Sequence, residues 1–295
     1  MSLLSPHLQQ ALGRSRLLPL RAKANTGVGE RPSRAKGSGI EFADHRAYQL
    51  GDDIRHLDPH IHARLGLLAV REYVLSQQLE VTLILDASAS MSFGMPSKFS
   101  CARELAAGLA LATLAGGDNL SLGVLRGSAL EWHPRVSGLG RAPEVFSWLE
   151  ALEAKRPANL AAALERALPR LQGEGFTIVI SDWLSDPAEV VMAALRRYAP
   201  TRQEFLALQV LALEEEDPTA LGRGELKLLD SESGEEIEIS LRDSNFARYR
   251  EFLQQHREDL RSQISSLGGR FLGVGSGVAS EQLLLGTLRA QGVIA

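Results

Sequence analysis

Two short runs, Val81 to Leu85 (VTLIL) and Phe176 to Ile180 (FTIVI), constrain this chain more than anything else in it. Both are apolar without strict alternation, and both run into an acid: Asp86 directly after the first, and Asp182, past Ser181, after the second. Runs of this length fit strands buried on both faces of a parallel sheet. The surrounding text repeats strand, loop and helix. The pattern predicts helices at 98–115 (ended by Gly116 and Gly117), 144–154, 160–171, 187–198, 243–267 and 280–291, and strands at 67–75, 120–125, 204–213 and 270–274. Such alternation predicts an α/β fold: a three-layer, mostly parallel sheet with helices on both faces. One stretch breaks it. Residues 222–242 hold two strand-like runs around a Ser-Gly turn, which predicts an inserted β-hairpin.

Three segments follow. Residues 1–38 predict an amphipathic helix at 7–22 and a basic loop, and residues 39–75 form a block dense in Arg, Asp and His. Residues 76–295 form the α/β domain. Arg14, Arg16, Arg21, Lys23, Arg31, Arg34 and Lys36 face one acid, Glu30, in the first 40 residues, while residues 204–240 are strongly acidic. The basic segment has no aromatic interleaving, so nucleic-acid binding is not expected. No run nears the roughly 18 apolar residues of a membrane span. Gln9, Gln10, Arg14 and Arg16 interrupt any signal-peptide core, and a cytoplasmic protein is the expectation. The single cysteine, Cys101, reads as a buried structural thiol in the 98–115 helix.

Several chemistries are excluded. No Lys follows a Gly, so there is no Walker A loop, and GVGSG at 273–277 lacks the full dinucleotide fingerprint. Ser276 is not in a nucleophile elbow. His45, His56, His60 and His62 lie beside Asp52, Asp53 and Asp58, which are proper ligand types. However, Pro59 interrupts the extended geometry that would put His60 and His62 on one face. Ion pairs and hydrogen bonds pinning an irregular segment are the reading for this stretch, with partner docking as its functional alternative.

The stretch from Asp86 through Ser88 to Ser90 stands at the carboxyl end of a strand, where parallel α/β folds bind ligands. Alternate spacing lets the loop turn one carboxylate and two hydroxyls to one point, and Asp182 ends a second buried strand. An all-oxygen set of this kind suits a hard cation, Mg²⁺ or Mn²⁺.

This arrangement resembles the metal-ion-dependent adhesion site of von Willebrand factor A-type domains. The resemblance maps Asp86, Ser88, Ser90 and Asp182 onto metal positions. Where that family has a Thr, this chain offers Ala158 and Asn159, so the expected substitute ligand is the Asn159 oxygen or a water. Upstream, Gly39, Glu41, Phe42, Arg46, Tyr48, Gly51, Asp52, Asp53, Arg55, Asp58, Ala63 and Arg64 are similar to the block of the prokaryotic domain-of-unknown-function family 58, with Pro59 where members usually have Trp. That family's resemblance implies a partnership with MoxR-type AAA+ ATPases, and with other von Willebrand factor A-like proteins. The resulting expectation is a non-enzymatic, cation-dependent interaction module, an adaptor or co-chaperone. A structural descendant holding no metal is the alternative. A Mg²⁺-dependent phosphohydrolase of the haloacid-dehalogenase kind is the rival from another class, but it needs a second acid where Ser88 stands.

Overall fold

The computed structural model describes residues 3–19, 41–49, 52–54, 57–74, 78–127, 129–155, 157–171, 174–184, 188–198, 203–222, 224–229, 236–241 and 243–295. Most of the basic loop (Arg21, Lys23, Glu30, Arg31, Arg34, Lys36), together with Gly39, Gly51, Arg55, His56 and the turn of the expected hairpin, lies outside them. In chain order the elements are α1 (Pro6–Leu12), β1 (Glu41–Ala47), α2 (Pro59–Leu65), β2 (Ala69–Val74), β3 (Glu80–Asp86), α3 (Lys98–Ala115), β4 (Asn119–Arg126), β5 (Ala129–Trp132), β6 (Val136–Ser137), α4 (Ala142–Glu150) and α5 (Leu160–Ala167). They continue with β7 (Gly175–Ser181), α6 (Ala188–Arg196), β8 (Gln203–Leu211), the single turn α7 (Leu213–Glu216), β9 (Gly224–Leu229), β10 (Glu236–Leu241), α8 (Asp243–Ser266), β11 (Arg270–Gly275) and the π-wound α9 (Gln282–Leu288). The chain divides into two units, residues 1–19 with 79–295, and residues 20–78.

The larger unit is built on a sheet ordered β11-β8-β7-β3-β4-β5, with β6 also paired to β4. The first five strands run parallel, and β5 and β6 run antiparallel along the outer side of β4. Period-two geometry sorts the buried strands onto two cores. Val81, Leu83, Leu85, Phe176, Ile178 and Ile180 face α1, α3, α4 and α9. Ile84, Val179 and Ala207 face α5, α6 and α8. The mostly parallel sheet with helices on both faces is therefore present. β9 and β10 pair antiparallel as their own two-stranded sheet, as expected of a hairpin.

Three features depart from the sequence reading. The first helix stops at Leu12 instead of running to residue 22. Gly13 caps it, and Leu17 then pairs as a β-bridge with Ile294, with the Leu18 amide bonded to the Val293 carbonyl at 2.8 Å. The apolar recurrence at Leu18 was thus not helical, and Leu20 lies outside the described residues. Second, β5 and β6 went unread, because an edge strand four residues long with charged and half-exposed positions carries little apolar signal. Third, residues 41–47 and 59–65 are regular rather than aperiodic: β1 pairs antiparallel with β2 around an irregularity between Phe42 and Asp44, and Pro59–Leu65 form α2. Pro59 fits as the first residue of α2 because the amide it lacks has no intrahelical partner there.

Within that smaller unit, the Arg46 guanidinium holds the Asp52 carboxylate through two bonds of 2.6 Å. His45 Nε2 meets Asp58 Oδ2 at 2.8 Å, and Asp58 Oδ1 accepts the His60 amide as helix cap. These contacts lie within the smaller unit itself. Among the described residues no cluster of three His, Cys, Asp or Glu is placed to hold a metal.

Strand order fixes where a site can form. From β3 the chain moves to β4 on one side, whereas β7, β8 and β11 lie on the other. The crevice between the carboxyl ends of β3 and β7 is the point where the winding reverses, which is where open α/β sheets take ligands.

Candidate functional site

Asp86 ends β3 at that crevice and is fully buried. Its Oδ1 accepts the Ser88 amide at 2.8 Å, a short turn that bends the chain across the sheet edge. Ala87 is tied back by its amide to the Leu125 carbonyl of β4, and residues 89–92 wind into one tight helical turn. The result brings Ser88 Oγ and Ser90 Oγ to 3.0 Å, with Ser90 Oγ donating to Asp182 Oδ2, also at 3.0 Å. On the other side, Ser181, the last residue of β7, donates to Asp86 Oδ2 at 2.7 Å and accepts the Trp183 amide. Trp183 holds a left-handed φ of 60°, strained for a bulky side chain. Its buried ring packs edge-on against Phe205, and His256 Nε2 meets its carbonyl at 3.0 Å. This strained corner aims Asp182, whose Oδ1 accepts the Leu184 amide and whose carbonyl accepts Gln209 Nε2.

The structure thus joins Asp86, Ser88, Ser90 and Asp182 in one hydrogen-bonded cluster. Asn159 has a different use: its side-chain oxygen accepts the Ala162 amide at 2.6 Å as the N-cap of α5. Three groups escaped the sequence reading. Ser181 is one. The others are Lys98 and Glu215: Lys98 Nζ donates to Asp182 Oδ2 at 2.7 Å and to Glu215 Oε1 at 2.6 Å, and Glu215 Oε2 accepts the Ala212 amide. Lys98 did carry a signal. It is the first residue of α3, after the cap Ser97, and a cation there opposes the helix dipole unless an anion faces it.

Burial, and then the Asp182 charge, push the Asp86 carboxyl up to about 6, against the lowering bonds from Ser181 and Ser88. Burial alone would lower the Lys98 ammonium, but Asp182 and Glu215 outweigh it and hold it above the ordinary lysine value. Burial also keeps Glu215 above the ordinary glutamate value despite the pull of Lys98.

The donor set suits a small hard cation. Oxygens at right angles around Mg²⁺ stand about 3.0 Å apart, because each arm is about 2.1 Å, and Ser88, Ser90 and Asp182 show this spacing. Asp182 and Glu215 share the Lys98 ammonium while Asp86 faces Asp182, so three carboxylates stand beside one cation in the cluster. Against this, Lys98 already occupies one flank of Asp182 Oδ2.

Around the cluster, loops at the same sheet edge expose apolar side chains: Phe93 and Met95 after β3, Leu184 after β7, Leu213 after β8 and Val278 after β11. Met95 is 92% exposed. Pro96 and Ser276 join two of these loops through a 2.9 Å bond.

Comparison with known proteins adds relatives and a family. The chain is 31% identical over 246 residues to "uncharacterized protein Mb1516" of Mycobacterium bovis and to "uncharacterized protein Rv1480" of Mycobacterium tuberculosis, covering 80% of this chain and 74% of each relative. Among solved structures, the pilus adhesin SpaC of Lactobacillus rhamnosus GG, in its open conformation, aligns with a TM-score of 0.46 at 9% identity, over 73% of this chain and 30% of the adhesin. The TFIIH p34 N-terminal domain aligns with a TM-score of 0.38 at 12% identity, over 70% of this chain and 94% of that domain. The family model described as "protein of unknown function DUF58" matches residues 44–259, and the chain belongs to that family.

Proposed function

We propose that this protein is a non-enzymatic, divalent-cation-dependent interaction module with a von Willebrand factor A-like domain. It serves as adaptor or co-chaperone to a MoxR-type AAA+ ATPase. The observation that carries the reading is the convergence of Asp86, Ser88, Ser90 and Asp182 at the crevice where the sheet's winding reverses. Their oxygens would hold Mg²⁺ or Mn²⁺, which supplies a strong, directional positive charge when bound. The chain's own residues do the rest. Ser181 and Ser88 orient Asp86, and Trp183 and Gln209 fix Asp182. The apolar side chains of Phe93, Met95, Leu184, Leu213 and Val278 favour a protein partner, since exposed apolar groups around a polar centre mark contact surfaces. A partner carboxylate seated among them would complete the cation's shell.

Calorimetric titration with Mg²⁺ and Mn²⁺ tests the first half of the proposal, and capture of the purified ATPase with Mg²⁺ or with EDTA tests the second. Binding of one cation per chain, and capture that EDTA abolishes, are the expected results. Capture unaffected by EDTA would move the contact elsewhere, most simply to the Arg-rich block around Arg46 and Arg64. One observation favours a second reading, a module that holds no metal: the Lys98 ammonium already rests on Asp182. Absence of any cation binding would select it.

A further inference from the structure

Lys98 is the least expected side chain in this molecule. It is 1% exposed, it begins a largely buried helix whose dipole opposes its charge, and its Nζ lies between Asp182 and Glu215. The oxygen it takes, Asp182 Oδ2, is the one that also accepts Ser90 Oγ. A divalent cation coordinated by Ser90 and Asp182 would therefore meet the ammonium at very short range. Both charges cannot share that oxygen. Lys98 has somewhere to go, however. Glu215 is a second anchor, fixed by the Ala212 amide at the start of α7, and the four-carbon stem lets Nζ leave Asp182 while keeping Glu215.

We propose that Lys98 is the resident counter-ion of this site and competes with the divalent cation for Asp182. On this view Lys98, and not the absent threonine, sets how tightly the site takes a metal. The inference rests on the reading that the cluster is a cation site. Glu215 acts as the alternative seat that makes the exchange possible, so cation entry releases the link from α7 to Asp182. Leu213, 58% exposed, begins that turn, which places the exchange next to the apolar contact surface.

The test is Mn²⁺ and Mg²⁺ titration of the full chain, wild type against Lys98→Met, with circular dichroism as the fold control. A unit charge removed within a few ångströms of a dication in a partly buried site predicts affinity at least about tenfold higher in Lys98→Met. Glu215→Gln should weaken cation binding in the wild-type background, because it strands the ammonium on Asp182. The same change should do much less in the Lys98→Met background. If Lys98→Met fails to fold, Lys98→Gln takes its place. Tighter binding by the Lys98 variant with measurable wild-type binding supports both this inference and the cation-dependent function. Binding by the variant alone supports the competition and overturns cation dependence for the natural protein. Equal affinities, or a Glu215→Gln effect the same in both backgrounds, overturn the competition and leave the cation site standing. No binding by any variant overturns both.

Discussion

At the scale of single residues, Asp86 concentrates the site's electrostatic tension. Its carboxyl is buried, faces Asp182, and titrates near 6 rather than near its ordinary 3.8. A raised folded-state value means the folded protein holds the proton more tightly than the unfolded chain. With EDTA present, stability should therefore rise as pH falls from about 7 toward 4, and be lost again as pH climbs through about 6. Asp86→Asn should flatten that slope and stabilise the metal-free protein at neutral pH by on the order of 2 kcal/mol. Thermal denaturation of both proteins across this range decides it, and a wild-type midpoint that drops on acidification would refute the burial argument. Cys101 gives an independent check. Burial, then Glu104, push its thiol up to about 12, so it should resist a thiol reagent at pH 8 until the protein unfolds. Rapid labelling of the native protein would contradict its assigned place in the core.

What the sequence showed at this scale depended on position along a strand. Asp86, Ser88, Ser90 and Asp182 were legible because each stands just past an apolar run whose end must lie at the sheet's edge. Glu215 was not, since Glu214, Glu215 and Glu216 are chemically alike and only the fold chooses the one facing Lys98. Asn159 illustrates the converse. Its residue type suits a ligand, but it equally suits a helix cap, and the structure uses its oxygen for the cap.

Among the elements, the loops are what hold the site's shape. Gly94 lies in the loop after β3 with φ +92°, and a Cβ there would stand 2.7 Å from Ala212 Cβ at the end of β8. Only glycine allows both the backbone conformation and that approach. Gly94→Ala should cost about 1–3 kcal/mol, by strain and overpacking together, and should lower cation affinity by pushing the two loops apart. Chemical denaturation and calorimetry on the same variant check both effects. Unchanged stability would mean the loops are not in contact. A second close approach sits in the core: a Cβ on Gly108 of α3 would come within 2.4 Å of Leu284, so the central helix packs directly on α9. Helix α3 itself was readable end to end, from Lys98 to Ala115, because its small apolar residues and the glycines that end it agree. Helix α1 was overread, since the spacing of Leu18 mimics a helix while backbone hydrogen bonds from Arg16 and Leu18 to Ala295 and Val293 hold that segment extended. Strand β1 was hidden by its charged residues, which do not alternate with apolar ones; its backbone pairs with β2, and Arg46 turns to Asp52.

For the whole molecule, a parallel sheet with its winding reversed between β3 and β7 explains why acids about a hundred residues apart in sequence meet in one cluster. The alternation of strands and helices was enough to anticipate that sheet, and the site followed from it. Among the described residues no helix is long and apolar enough to cross a membrane. The central claim is that the sheet's carboxyl edge is a cation site, and titration of the purified chain with Mg²⁺, wild type beside Asp86→Ala, tests it most directly. The account predicts one cation bound per wild-type chain and none by Asp86→Ala, with both proteins showing the same circular dichroism. Equal binding by the two proteins, or no binding by a folded wild type, would contradict it.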